Sequence, residues 1–192
     1  PPLVIYNHIF VWSYNFISRY TFFLGMALEQ SSLLLSRQLR ELNKSSVDGF
    51  SAGLIDDGDL FKWEIVIYGP PETIYEGGMF KAQLIFPKEY PHRPPKMKFL
   101  SEMWHPNIDQ EGNVCISILH EPGDDKYGYE KAGERWMPVH TVETICISVI
   151  SMLADPNDES PANVDAAKMW RVNFEDFKKR VAKTIRKSVE EL

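Results

Sequence analysis

The sequence predicts an α+β domain: an N-terminal helix, a four-stranded antiparallel meander sheet, then a central buried helix and two C-terminal helices. Apolar residues alternate with polar ones through successive segments between Phe50 and Leu100, and short turns join them. Turns that short force antiparallel neighbours. From Thr141 the apolar spacing lengthens to that of a helix and keeps it almost to the C-terminus. No internal repeat interrupts this order.

Residues 29–44 read as the first helix, with Leu28, Leu35, Leu39 and Leu42 on one face and Arg37, Arg40 and Lys44 on the other. In the first strand Phe50, Ala52 and Leu54 alternate with Ser51 and Gly53. Phe61, Trp63, Ile65 and Ile67 define the second, and Phe80, Ala82, Leu84 and Phe86 the third. Asp56-Asp57-Gly58-Asp59, Gly69-Pro70-Pro71 and Glu76-Gly77-Gly78 supply the connections. A short fourth strand, Lys96 to Leu100, follows Tyr90-Pro91-His92-Arg93-Pro94-Pro95, whose prolines lack the amide that a central strand needs. Val142, Ile145, Cys146, Val149, Ile150 and Leu153 form the stripe of a buried central helix, with Thr141 as its N-cap and Asp155-Pro156-Asn157 as its stop. Ser160 caps the next helix in this reading, with Pro161 at its first position. The last helix starts near Asn173 and turns Phe174, Phe177, Val181 and Ile185 inward.

The 192 residues suit one domain, and an apolar content of 44% is enough for a sizeable core. A net charge of −6 argues against a dedicated nucleic-acid binder, which would carry a basic stripe. The only cysteines, Cys115 and Cys146, make neither a disulfide framework nor a zinc site, so no metal is expected. A reducing compartment follows, cytoplasmic with the nucleus as the alternative. Residues 1–26 are rich in aromatics but broken by Asn7, His8, Ser13, Asn15, Ser18 and Arg19. They read as an extension outside the functional domain, not as a membrane span, and 27–192 as the domain.

Cys146 sits in the apolar stripe of a helix, the usual place of an inert core thiol. Cys115 follows a Gly112-Asn113 turn in a polar loop, where exposure is expected. Eight residues before it stands Asn107, in the turn His105-Pro106-Asn107. A thiol and a side-chain amide on one loop suit acyl transfer at sulfur: the thiol carries the acyl group and the amide stabilises an oxyanion. No strongly basic group flanks Cys115 in the sequence, and an ordinary thiol, with a pKa of about 8.5, is mostly protonated at neutral pH. Such a thiol exchanges with an activated thioester more readily than it attacks an amide. A cysteine protease, the rival reading, would want a histidine-activated cysteine and a substrate cleft.

The segment from His105 to Leu119, the Tyr90–Pro95 loop and the polar stretch 120–135 together resemble the ubiquitin-conjugating enzyme family, and the insertion resembles its G-type, acidic-loop subgroup. The resemblance implies that family's fold and chemistry. Cys115 would take ubiquitin as a thioester from the activating enzyme and yield it to a lysine amine, Asn107 would stabilise the oxyanion, and His105 would organise the turn without forming a dyad with the thiol. Where many members carry an aspartate to assist the lysine, this chain has Ser160, with Asp158 nearby. Glu121, Asp124, Asp125, Glu130 and Glu134 would face an acceptor ubiquitin and favour polyubiquitin chains. Arg37, Arg40, His92, Met137 and Pro138 would meet the activating enzyme and ligases. Several members have phenylalanine where His92 stands, so the expected ligase is of RING type. A catalytically inert ubiquitin-binding variant would lack Cys115. The implied enzyme is a monomer that needs no cofactor, since ATP is used by the activating enzyme, and its partners are ubiquitin, that enzyme, a RING-type ligase and substrate lysines.

Overall fold

Alternation in the sequence becomes a single sheet in the computed structural model, which describes residue 25 and residues 28–44, 47–123 and 130–191. The boundary expected at 26/27 lies outside these, as do Asp124 and Asp125. Strands β1 (Phe50–Leu54), β2 (Lys62–Tyr68), β3 (Met79–Ile85) and β4 (Lys96–Phe99) pair antiparallel in sequence order. The register sets Trp63 opposite Leu84, Ile65 opposite Ala82 and Ile67 opposite Phe80, so one face of the central strands is wholly buried. A slip of one residue would turn Lys62, Glu64 and Lys81 into that face, which fixes the pairing.

Helix α1 runs over 28–44. Leu35 is buried as its periodicity requires, but so are Ser31 and Gln38 on the same side. Both are satisfied: Ser31 Oγ donates to the Tyr90 carbonyl at 2.6 Å, and Gln38 Nε2 donates to the Tyr90 hydroxyl at 3.0 Å. Gln38 Oε1 also accepts from Val142 N at 3.0 Å, one of the amides left unpaired at a helix start. Helix α2 (Val142–Ala154) is the central buried helix, capped by Thr141, whose hydroxyl accepts from Thr144 N. Its inward residues are Val142, Ile145, Cys146, Val149, Met152 and Leu153.

Helices α3 (Val164–Val172) and α4 (Phe174–Glu190) complete the fold. Two details differ from the sequence reading. Asn163, not Ser160, caps α3: its Oδ1 accepts from Ala166 N at 3.0 Å, while its own amide donates to the Pro106 carbonyl at 2.9 Å. The helix start is set by that tie to the His105–Asn107 turn, which local sequence does not display. Phe174 is 39% exposed, because it lies in the first turn of α4 and meets Trp170 edge-on at 4.8 Å, not the core.

Candidate active site

Backbone bonds along β4 place the thiol. Phe99 N donates to Gly112 O, Val114 N to Met97 O, and Cys115 N to Asn107 O, at 2.8, 3.0 and 2.9 Å. Gly112 makes the turn with φ of +90°, and a side chain there would run into the Phe99 carbonyl. The Cys115 segment therefore lies between the end of β4 and the His105–Asn107 turn. Cys115 is exposed, whereas Cys146 is fully buried and burial raises its thiol far above the ordinary range.

His105 is the pin of the turn. Its Nδ1 accepts from Asn107 N at 2.9 Å, so Nε2 carries the proton and donates to the Met152 carbonyl at 3.0 Å. Both ring nitrogens are thus committed to backbone. Burial lowers its pKa to about 4. Between that value and the ~6.5 of an unfolded histidine, the unfolded chain binds the extra proton. The stability contributed by the neutral ring is complete above the unfolded value and is lost as pH falls toward the folded one. A gap of that size corresponds to about 3 kcal/mol. Urea unfolding from about pH 7.5 down to about pH 4.5 should show most of that decline, and a flat series would mean that His105 is not held neutral by burial.

Asn107 is 3% exposed, and its amide bridges to the loop after α2. Nδ2 donates to Asn157 O at 2.7 Å and Oδ1 accepts from Asn157 N at 2.9 Å. One Nδ2 proton remains uncommitted in this pairing. Asn107, Cys115, Asp155, Asn157 and Ser160 line a common cavity of about 320 Å³. Asp158 is turned elsewhere, with Oδ2 at 3.6 Å from Arg171 Nε. A larger cavity of about 700 Å³ lies between Trp104, α3 and α4, and among the described residues no cysteine or histidine lines it.

The absence of a basic group beside Cys115, expected from the sequence, is corrected by the structure. The 3₁₀ turn Ser117–Leu119 folds the chain back and brings His120 Nε2 to 3.5 Å from Cys115 Sγ. The other ring nitrogen, Nδ1, lies 2.8 and 2.9 Å from the two Glu130 carboxylate oxygens. Contact with Sγ does most to raise the His120 pKa, and Glu130 adds to it against partial burial, giving about 9. Ser117 Oγ donates to Glu130 at 2.8 Å, and Arg135 stands at 3.6 Å from its other oxygen. These contacts hold the Glu130 carboxyl below its ordinary range although desolvation opposes them.

Glu130 therefore faces the thiol side rather than an incoming partner. Glu121 pairs with Arg93 at 2.6 Å, and Glu134 accepts from Lys131 N at 3.1 Å. Among the described residues, each of the loop's expected acceptor carboxylates has a contact within the chain. The expected docking residues fall at one end of the domain. Trp136 Nε1 donates to Pro91 O at 2.7 Å, which draws exposed Met137 and Pro138 beside exposed His92. The Gln38–Tyr90 bond brings in α1, whose Arg37 pairs with Glu41 and whose Arg40 donates to Ser36 O, both at the surface.

Residues 34–185 match the family model described as ubiquitin-conjugating enzyme. The chain is 69% identical over 164 residues to a probable ubiquitin-conjugating enzyme E2 7 of Caenorhabditis elegans, covering 85% of this chain and 100% of the relative. It is 52% identical over 165 residues to ubiquitin-conjugating enzyme E2 G2 of Homo sapiens, covering 86% and 98%. The solved structure of human ubiquitin-conjugating enzyme E2 G1 superposes with a TM-score of 0.59 at 67% identity, covering 66% of this chain and 96% of that one.

Proposed function

The chain belongs to the ubiquitin-conjugating enzyme family, and on that premise we propose that Cys115 accepts ubiquitin as a thioester from an activating enzyme and passes it to lysine amines. The observation that carries this reading is the pairing of an exposed thiol with a buried, oriented amide in one cavity, while the other cysteine is sealed in the core. Attack by an amine turns the thioester carbonyl into a tetrahedral oxyanion. The free Nδ2 proton of Asn107 is the donor available to it, and its bridge to Asn157 holds it ready without reorganisation. Ser160 and Asp155 line the same cavity and form the gate for the incoming lysine, whereas Asp158 is held by Arg171.

No cofactor enters this cycle, because the activating enzyme uses the ATP. The docking face made by Arg37, Arg40, His92, Met137 and Pro138 suits a RING-type ligase. The enzyme acts as a monomer in the cytoplasm or nucleus. Mixing the protein with activating enzyme, ATP and ubiquitin should produce a band shift of one ubiquitin that a thiol reductant removes. No shift with a folded protein would refute the reading.

The acidic insertion has a separate role in this proposal: it orients an acceptor ubiquitin for chain assembly. Because Glu130 is held against His120, Asp124 and Asp125 are the carboxylates to neutralise. Asp124→Asn with Asp125→Asn should spare discharge to free lysine and lower polyubiquitin formation several-fold. Added salt should mimic part of that loss in the intact enzyme, since exposed charges are screened beyond about 8–10 Å at physiological ionic strength. An equal fall in discharge and chain assembly would assign the loop to support of the active site instead.

A further inference from the structure

We propose that His120 is the acid–base partner of Cys115 and that Glu130 is its positioning residue. The proposal rests on the thioester reading above and adds a proton path to it. An ionised Glu130 can only accept, so Nδ1 carries a proton toward it and Nε2 is left to face Sγ. The His120 backbone is fixed at both ends: its amide donates to Ser117 O at 2.9 Å, and its carbonyl accepts from Trp136 N at 3.1 Å. Glu130 is fixed in turn by Ser117 Oγ and by the nearby Arg135. This is a nucleophile, a base and an orienting carboxylate in one line, with the sulfur open to the cavity. Among the described residues, the charged or titratable groups near the ring are Cys115, Glu130 and Arg135, with Asp155 in the lining of the same cavity.

The proton balance closes in both half-reactions. Before charging, the proton of the Cys115 thiol rests on Nε2, and Sγ bonds to the ubiquitin carbonyl as the thiolate. The carbon–sulfur bond to the activating enzyme breaks, and the departing thiolate receives that proton. During discharge, the lysine nitrogen bonds to the carbonyl carbon and loses its surplus proton to Nε2. The bond from carbon to Sγ breaks, and Nε2 returns the proton to the leaving Cys115 thiolate. The products are an isopeptide and the free thiol, with no oxidant or further reactant. His105 has no share in this, because both of its ring nitrogens bond to backbone.

Two measurements test the relay, the first of them independent of the ubiquitin chemistry. The first is the pH dependence of Cys115 alkylation by iodoacetamide in the free protein, followed by mass spectrometry so that Cys146 does not contribute. An isolated thiol is only a few per cent ionised at neutral pH. Wild type should react about tenfold faster near pH 7 than His120→Gln or His120→Asn, whose profiles should rise only toward the pKa of an ordinary thiol. Glu130→Gln keeps the ring but removes its charge partner, and should move the midpoint part of the way. The second is single-turnover discharge of the isolated ubiquitin thioester to lysine across the same pH range. The histidine variants should lose about tenfold or more and the pH dependence that the ring confers. Equal alkylation profiles in wild type and both folded His120 variants would overturn the proposal. A Glu130→Gln profile like wild type would overturn the part given to Glu130. Failure to form any ubiquitin adduct would instead defeat the thioester reading and leave the alkylation result standing.

Discussion

Cys115→Ser should still accept ubiquitin but hold it as an adduct that thiol reductants do not remove, and turnover to lysine should cease. The serine oxygen occupies the position of Sγ, with its backbone still held by the bond from residue 115 N to Asn107 O. An oxyester is a much poorer acyl donor to an amine than a thioester, so the transfer stalls after the first half. Cys146→Ser provides the opposite case. Cys146 is fully buried in α2 among Val142, Ile145 and Val149. A hydroxyl there costs about 1–3 kcal/mol unless it finds a partner, yet charging should persist because this thiol never meets solvent. The measurements are a gel comparison with and without reductant, and a urea melt of each variant. A Cys146→Ser protein that is folded yet cannot be charged would reverse the assignment of the nucleophile.

The parts of the fold governed by local periodicity were legible. Trp63, Ile65, Ile67, Phe80, Ala82 and Leu84 alternate in sequence and share one buried face in space. Thr141 caps α2 because a threonine before an apolar stripe has a local reason to do so. What escaped was set by partners far along the chain. The leucine spacing of the first helix says nothing of Gln38, whose place is set by Tyr90 and the first amide of α2. Asn163 caps α3 with its side-chain oxygen, and the hydrogen bond from its backbone N–H to the Pro106 carbonyl holds it there. The two histidines near the nucleophile show the same limit within one site. His105 stands next to the Pro106-Asn107 turn, and its structural role follows from that position. His120 follows Cys115 by five residues and reads as the first residue of a polar insertion; only the 3₁₀ turn carries its ring back to sulfur. A histidine just past a short helical turn, with a carboxylate further along the same loop, was the available signal. It gains force only when the turn type is known.

Replacement of Asn107 should separate the two halves of the reaction. In Asn107→Ala, Cys115 should still be charged, because a thiolate attacks a thioester far more readily than an amine does and the loop backbone that presents Sγ is held by other bonds. Discharge to lysine should fall by about a hundredfold or more, as expected when a single oxyanion donor worth about 3 kcal/mol is removed. The structure also gives Asn107 a mechanical role, since its amide makes both bonds to the Asn157 backbone and so ties the 155–160 loop to the nucleophile. Loss of two partly buried hydrogen bonds should lower stability by about 1–3 kcal/mol. A loosened loop would slow discharge too, so the variant needs a companion. Pro156→Gly loosens the same loop from within and leaves the Asn107 amide in place. If oxyanion stabilisation dominates, Pro156→Gly should retain most of the discharge rate, while Asn107→Ala loses it at every lysine concentration, in the maximal rate rather than in apparent affinity. Equal defects in the two would leave Asn107 only its mechanical role, and wild-type discharge in Asn107→Ala would remove both.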